Sequence, residues 1–197
     1  MENTVQSSAG LAGQVRPPSA LARFSTGLAQ AEILLAGVLM FLLFVLLLAN
    51  VTGRFLGVPL IWVDELAVYL MVIVAFLAAA AALDARQHIA VTLLSDMMSP
   101  RAAGLLRLLA DLILLAFLLA LAWMVWIWFD PLTAAAAETL DAFAAQSFNF
   151  IYQEPTVTLG VRKVWFWLIL PVFAVTATIH CLAQIEADLR LLKGAGR

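Results

Sequence analysis

The stretch WVDELAVYLMVIVAFLAAAAALDARQHIAV, from Trp62 to Val91, decides the fold. Two acids follow a tryptophan, eighteen uncharged residues run from Leu66 to Leu83, and the segment closes on Asp84, Arg86 and His88. A helix crossing a bilayer needs about 20 predominantly apolar residues, with a usual range of roughly 17–25. The run meets that length and is continuous rather than alternating, so it is a spanning helix and not a barrel strand. Its flanks suit the helix dipole, with Asp64 and Glu65 in the first turn and Arg86 and His88 at the end.

Working outward, three further apolar runs appear: Ile33–Thr52, Leu112–Phe129 and Val164–Ile185. Hydrophobic residues make up 64% of the chain and charged residues 12%, about half the charge fraction of a soluble domain. Lipid is therefore the solvent of this chain. The formal net charge of −2, with no basic cluster, argues against nucleic acid. Cys181 is the single cysteine and cannot form an internal disulfide. The expected architecture is an all-α integral membrane protein with four transmembrane helices, at about 30–53, 64–86, 104–129 and 163–186. Residues 1–22, small, polar and proline-containing, read as a disordered tail. They lack the basic start and short apolar core of a secretory signal. Residues 191–197 read as a second tail.

Four spans place both termini on one side. Eight basic residues (Arg16, Arg23, Arg86, Arg101, Arg107, Arg190, Lys193, Arg197) fall on the side of the termini, against three (Arg54, Arg162, Lys163) on the other. The positive-inside rule makes the termini cytoplasmic. Tryptophan agrees: Trp62, Trp123, Trp126, Trp128, Trp165 and Trp167 all gather toward the opposite, outer side, as half of an interfacial belt.

Local punctuation refines this picture. Ser99-Pro100 reads as N-cap and first helical residue, so the third helix should start there and reach ~45 Å at Phe129. Asp130-Pro131 should end it, and Pro171 should kink the fourth helix by freeing the carbonyl of Trp167. Arg107 and Asp111, four apart, can pair, and Arg54 and Glu65 are placed to pair across the first loop. The third loop, about 130–162, is the only long one. Its TAAAAETLDAFAAQ segment is expected to form a short amphipathic helix at the outer surface, with Glu138 and Asp141 on one face and Leu140, Phe143 and Ala144 on another.

An ordered set of motifs links these elements. Asn50 and Arg54 end the first span, Trp62, Glu65 and Leu66 open the second, and Arg86, His88, Ile89 and Val91 close it after the small-residue run Ala78–Ala82. LGVRKVWFWLILPVF, with Pro171, forms the start of the fourth span. The series resembles the DctQ-type small membrane subunit of tripartite ATP-independent periplasmic (TRAP) transporters, across roughly residues 30–110 and 158–190. This chain departs from that family's usual pattern in lacking a glycine near Ala78–Ala79 and an acid near Thr92, and in its longer third loop.

The resemblance implies a non-enzymatic subunit of the bacterial inner membrane that braces a large transport subunit and helps dock a periplasmic solute-binding protein. Uptake of a small solute, expected to be a carboxylate, would be secondary and ion-coupled. No cofactor is implied. Asn50, Arg54, Trp62, Glu65, Ala78, Ala79, Arg86, His88, Glu138 and Asp141 are the candidate partner-interface residues. The residues themselves agree, because no Asp, Glu, Lys or Arg lies within the four apolar runs and no pair of interrupted spans supplies a transport site. The competing reading is a haem b-binding membrane anchor of a redox complex, using the two histidines, His88 and His180, at similar depth in the bundle. An assembly subunit of unrelated type is a third reading.

Overall fold

The structure is a computed structural model and describes residues 19–85 and 98–194. Among these residues it is all-helical apart from one isolated bridge, and four helices are long and apolar enough to cross a membrane. Helix α1 spans Ala20–Phe55, α2 Ile61–Asp84 and α3 Pro100–Phe129. Two short helices follow, α4 (Pro131–Ala136) and α5 (Leu140–Ser147). The fourth span is α6 (Val164–Trp167) and α7 (Ile169–Gly194).

Helix α1 is 36 residues long, ~54 Å at 1.5 Å per residue. Its helical residues Ala20–Ala22 belonged to the expected tail; Ser19 starts the helix by accepting from Ala22 N at 3.0 Å. Its buried residues are Ser25, Ala29, Glu32, Ala36, Leu43 and Asn50, alternately four and three apart or a whole heptad apart. That is one narrow seam, as in a coiled coil. Much of the rest of α1 is exposed apolar side chain, such as Leu34, Phe41 and Leu48.

The packing order is α1, α2, α7, α3: α1 lies mainly on α2, α3 mainly on α7, and α2 and α7 meet in the middle. Leu77 and Val74 of α2 pack with Ala36 and Ile169. Leu83 of α2 and Leu118 of α3 close on Ala177 and Cys181 of α7. The two flanking helices keep broad apolar faces for lipid or protein.

Helix punctuation follows side-chain chemistry. Ser99 Oγ accepts from Ala102 N at 3.4 Å, and Pro100 opens α3. Asp130 adopts a left-handed conformation (φ 39°), ends α3, and caps α4 through Thr133 N at 3.4 Å. Pro171 has no N–H for the Trp167 carbonyl, and the fourth span breaks at Leu168, one turn earlier.

Candidate functional site

The end of the bundle that carries the 56–60 turn and the 130–163 connection is built from interlocking polar and aromatic contacts. Asn50, buried on α1, donates through Nδ2 to Asp64 Oδ1 at 2.7 Å and accepts from Leu60 N at 3.2 Å through Oδ1. It thereby holds both the turn and the start of α2. Arg54 binds the other oxygen of Asp64. The expected partner was Glu65, but the neighbouring acid takes the role. One residue is ~100° of helix rotation, which turns Asp64 toward α1 and Glu65 toward the fourth span.

Glu65 closes a contact across 92 residues of sequence. Its carboxylate accepts from Val157 N at 2.8 Å, Thr158 N at 2.7 Å and Thr158 Oγ1 at 2.6 Å. Those donors sit at the tip of a tight hairpin. Thr156 N donates to Val161 O at 2.7 Å, Lys163 N donates to Glu154 O at 2.9 Å, and Gly160 supplies the left-handed turn residue (φ 70°). Two successive backbone N–H groups and a hydroxyl around one carboxylate make a charge-assisted clasp. Below the hairpin, Lys163 Nζ lies 2.5 Å from Glu154 Oε1. Hydrogen bonding to that carboxylate holds the ammonium above the ordinary lysine range.

Aromatic contacts fasten the rest of the connection. Tyr69 of α2 stacks on Phe166 of α6, centroids 4.1 Å apart. Trp128, Phe129, Tyr152 and Phe143 form a chain of edge-on pairs from α3 to α5, with Trp167 beside Trp128. Tyr152 Oη donates to Phe129 O and Asn149 Nδ2 to Trp128 O, each at 2.7 Å. Burial pushes the Tyr152 phenol up, so it remains a donor. Over this frame, two side chains stand out into the open: Val157 at the hairpin tip (87% exposed) and Phe148 (84%). Phe148 has a left-handed backbone (φ 53°) that a bulky residue rarely adopts.

The other candidate residues scatter around this frame. Trp62 is 40% exposed at the start of α2. Thr133–Gln146 forms two helices rather than one. Thr139 caps the second through Ala142 N at 3.1 Å, which leaves Glu138 exposed in the bend and Asp141 in the first turn of α5. Phe143 and Ala144 are buried, and Asp141 accepts from Gln153 Nε2 at 2.5 Å. Ala78 and Ala79 are exposed on α2, whereas Ala80 and Ala81 are buried within the chain. Arg86 and His88 lie outside the described residues.

The opposite end of the bundle carries a polar network in which the sequence singled out His180 and Arg107 but not their partners Ser25, Glu32, Asp84 and Asp188. Fully buried His180 places Nε2 3.1 Å from Glu32 Oε2 and Nδ1 2.7 Å from Ser25 Oγ. Ser25 in turn reaches Asp84 Oδ1 at 2.5 Å. Arg107 lies 3.8 Å from Asp188, which is also buried. The ring geometry does not fit haem ligation, because both nitrogens of His180 already face protein partners. The available signal was the seam of α1, whose register carries Ser25 and Glu32 onto the buried face.

A four-span membrane subunit is thus defined, its helices mostly apolar outside and one end finished by a firmly held surface connection. Residues 43–191 match the family described as Tripartite ATP-independent periplasmic transporters, DctQ component, and the chain belongs to that family. It is a transporter subunit and not an enzyme. No curated protein matches the chain.

Proposed function

We propose that this small TRAP transporter subunit braces the large membrane subunit through its apolar flanking helices and Ala78–Ala79. Its connection end is a docking face for the periplasmic solute-binding protein. The observation that carries this reading is the Glu65 clasp, which pre-orders the 155–162 hairpin and holds Val157 out of the bundle. Pre-ordering lowers the entropic cost of binding. The distribution of basic residues and of tryptophan supports a cytoplasmic position for the termini and a periplasmic one for this face, in the bacterial inner membrane. We take the solute to be a small carboxylate, coupled to an ion gradient, on family membership alone.

Charge supports the docking role. The periplasmic side carries six acids (Asp64, Glu65, Asp130, Glu138, Asp141, Glu154) against three bases (Arg54, Arg162, Lys163). Complementary charge mainly sets encounter rate and its salt dependence, with screening over ~8–10 Å near physiological salt. Exposed Glu138 is the clean probe, since Asp141 also holds Gln153. Glu138→Lys is expected to slow binding-protein-dependent uptake severalfold at low salt and limiting binding protein, with rescue by excess binding protein and unchanged complex assembly. Unaltered uptake under those conditions would remove the charge-steering role.

A further inference from the structure

We propose that the cluster of buried Ser25, Glu32 and His180 with half-buried Asp84 is a proton-binding site that pins the N-terminal helix to the centre of the bundle. Three contacts link the cluster: Glu32 Oε2 to His180 Nε2, His180 Nδ1 to Ser25 Oγ, and Ser25 Oγ to Asp84 Oδ1. Each needs one hydrogen between its heavy atoms. A neutral imidazole supplies one and the serine hydroxyl another, while two ionised carboxylates supply none. One hydrogen is missing, so the intact network holds one dissociable proton beyond the complement of a neutral histidine and two carboxylates.

The surroundings favour a proton over a larger cation. Ser25, Glu32 and His180 are 1%, 5% and 0% exposed, and Glu32 Oε2, the two ring nitrogens and Ser25 Oγ already form a chain at hydrogen-bond distance. Among the described residues no group of three or more His, Cys, Asp or Glu side chains is arranged to hold a metal. Glu32 Oε1 is buried without a hydrogen-bond partner, so a fully ionised carboxylate is poorly satisfied there. The facing charges come from every packed element: Glu32 from α1, Asp84 from α2, and Asp111 and Arg107 from α3 on the neighbouring turns, where Cys181 Sγ meets Asp111 O and Arg107 faces Asp188. Helix α7 itself adds Glu186 and Asp188, Glu186 being held by Ser19 and Arg190.

The consequence is mechanical. Helix α1 meets α7 over a small area compared with α2, and two of its ties to α7 are Glu32–His180 and Ser19–Glu186, the latter at 2.7 Å. With the extra proton in place both ties hold α1 to α7; without it one of the three contacts has no hydrogen to share. Glu32→Gln removes the need for the extra proton without breaking the chain of contacts: the amide donates to Nε2, the ring to Ser25, and Ser25 to Asp84.

Two measurements on the full chain, in its complex with the large subunit in lipid, test this. The first counts protons directly by magnetic resonance, with nitrogen-labelled histidine and carbon-labelled carboxylates; only two histidines occur, and His88→Gln assigns them. At neutral pH the expected spectrum shows either a doubly protonated His180 ring or a protonated carboxyl lost in Glu32→Gln. A singly protonated ring with every cluster carboxylate ionised overturns the proposal. The second compares thermal unfolding of Glu32→Gln, expected to keep the wild-type midpoint, with that of Glu32→Ala, expected to lower it. Equal midpoints in the two variants overturn it; if Glu32→Gln does not assemble, the proton count decides alone.

Discussion

The two ends of this bundle solve the placement of polar groups in opposite ways. At the connection end, Asp64 and Glu65 lie at the surface and bind other segments by their edges: the first loop through Asn50 and Arg54, the hairpin through Val157 and Thr158. At the terminal end, Glu32, His180 and Asp188 lie between helices, out of contact with solvent. Surface polar groups organise loops at little cost, because water can replace any partner that is lost. Buried ones hold helices in register, and losing a partner strands a polar group in a low-dielectric interior. The first arrangement suits a face that meets another protein, the second a scaffold that must not slide.

Substitution at the two ends should therefore have different signatures. The largest effect is expected at the terminal end. His180→Leu removes the contacts to Glu32 and Ser25 together and should destabilise the bundle by about 3 kcal/mol or more, moderated by the smaller worth of interhelical hydrogen bonds in lipid. Thermal unfolding of the purified complex checks this; an unchanged midpoint would mean that the buried network is not what holds α1 to α7. At the connection end, Glu65→Ala should leave that midpoint in place. Amide exchange across residues 155–163 should instead rise on the order of ten- to a hundredfold, because the lost hydrogen bonds are local. A fall in global stability without local loosening would erase the distinction between the two ends.

Much of the fold was legible because lipid imposes a simple rule. Four long apolar runs, Ser99-Pro100, Asp130-Pro131 and Pro171 are local signals, and α3 starts and stops where those residues place it. The partners of the site were less legible. Whether Arg54 meets Asp64 or Glu65 depends on ~100° of rotation, and no spacing rule fixes the phase of two helices joined by a turn. Two of the three donors to Glu65 are backbone N–H groups 92 and 93 residues away, which carry no side-chain signature, and the third is the Thr158 hydroxyl, equally remote in sequence. Glu32 and His180 are 148 residues apart. Glu32 stands just outside its apolar run, where it reads as a boundary charge; only the heptad seam Ser25, Ala29, Glu32, Ala36 marks it as inward-facing. The bend at 137–139 was hidden because alanine-rich sequence favours helix, and the Thr139 cap restarts it.

A docking role requires the firmly held connection to face the periplasm. Cysteine is placed at exposed Ala136 or at exposed Ala85, each in a Cys181→Ala background that removes the single native thiol. Intact cells, or spheroplasts of them, are treated with a membrane-impermeant thiol reagent. The account predicts rapid labelling at position 136 and none at position 85 until the membrane is opened. Labelling at position 85 with protection at 136 would place the Glu65 clasp and its hairpin in the cytoplasm, contradicting a docking role for that face.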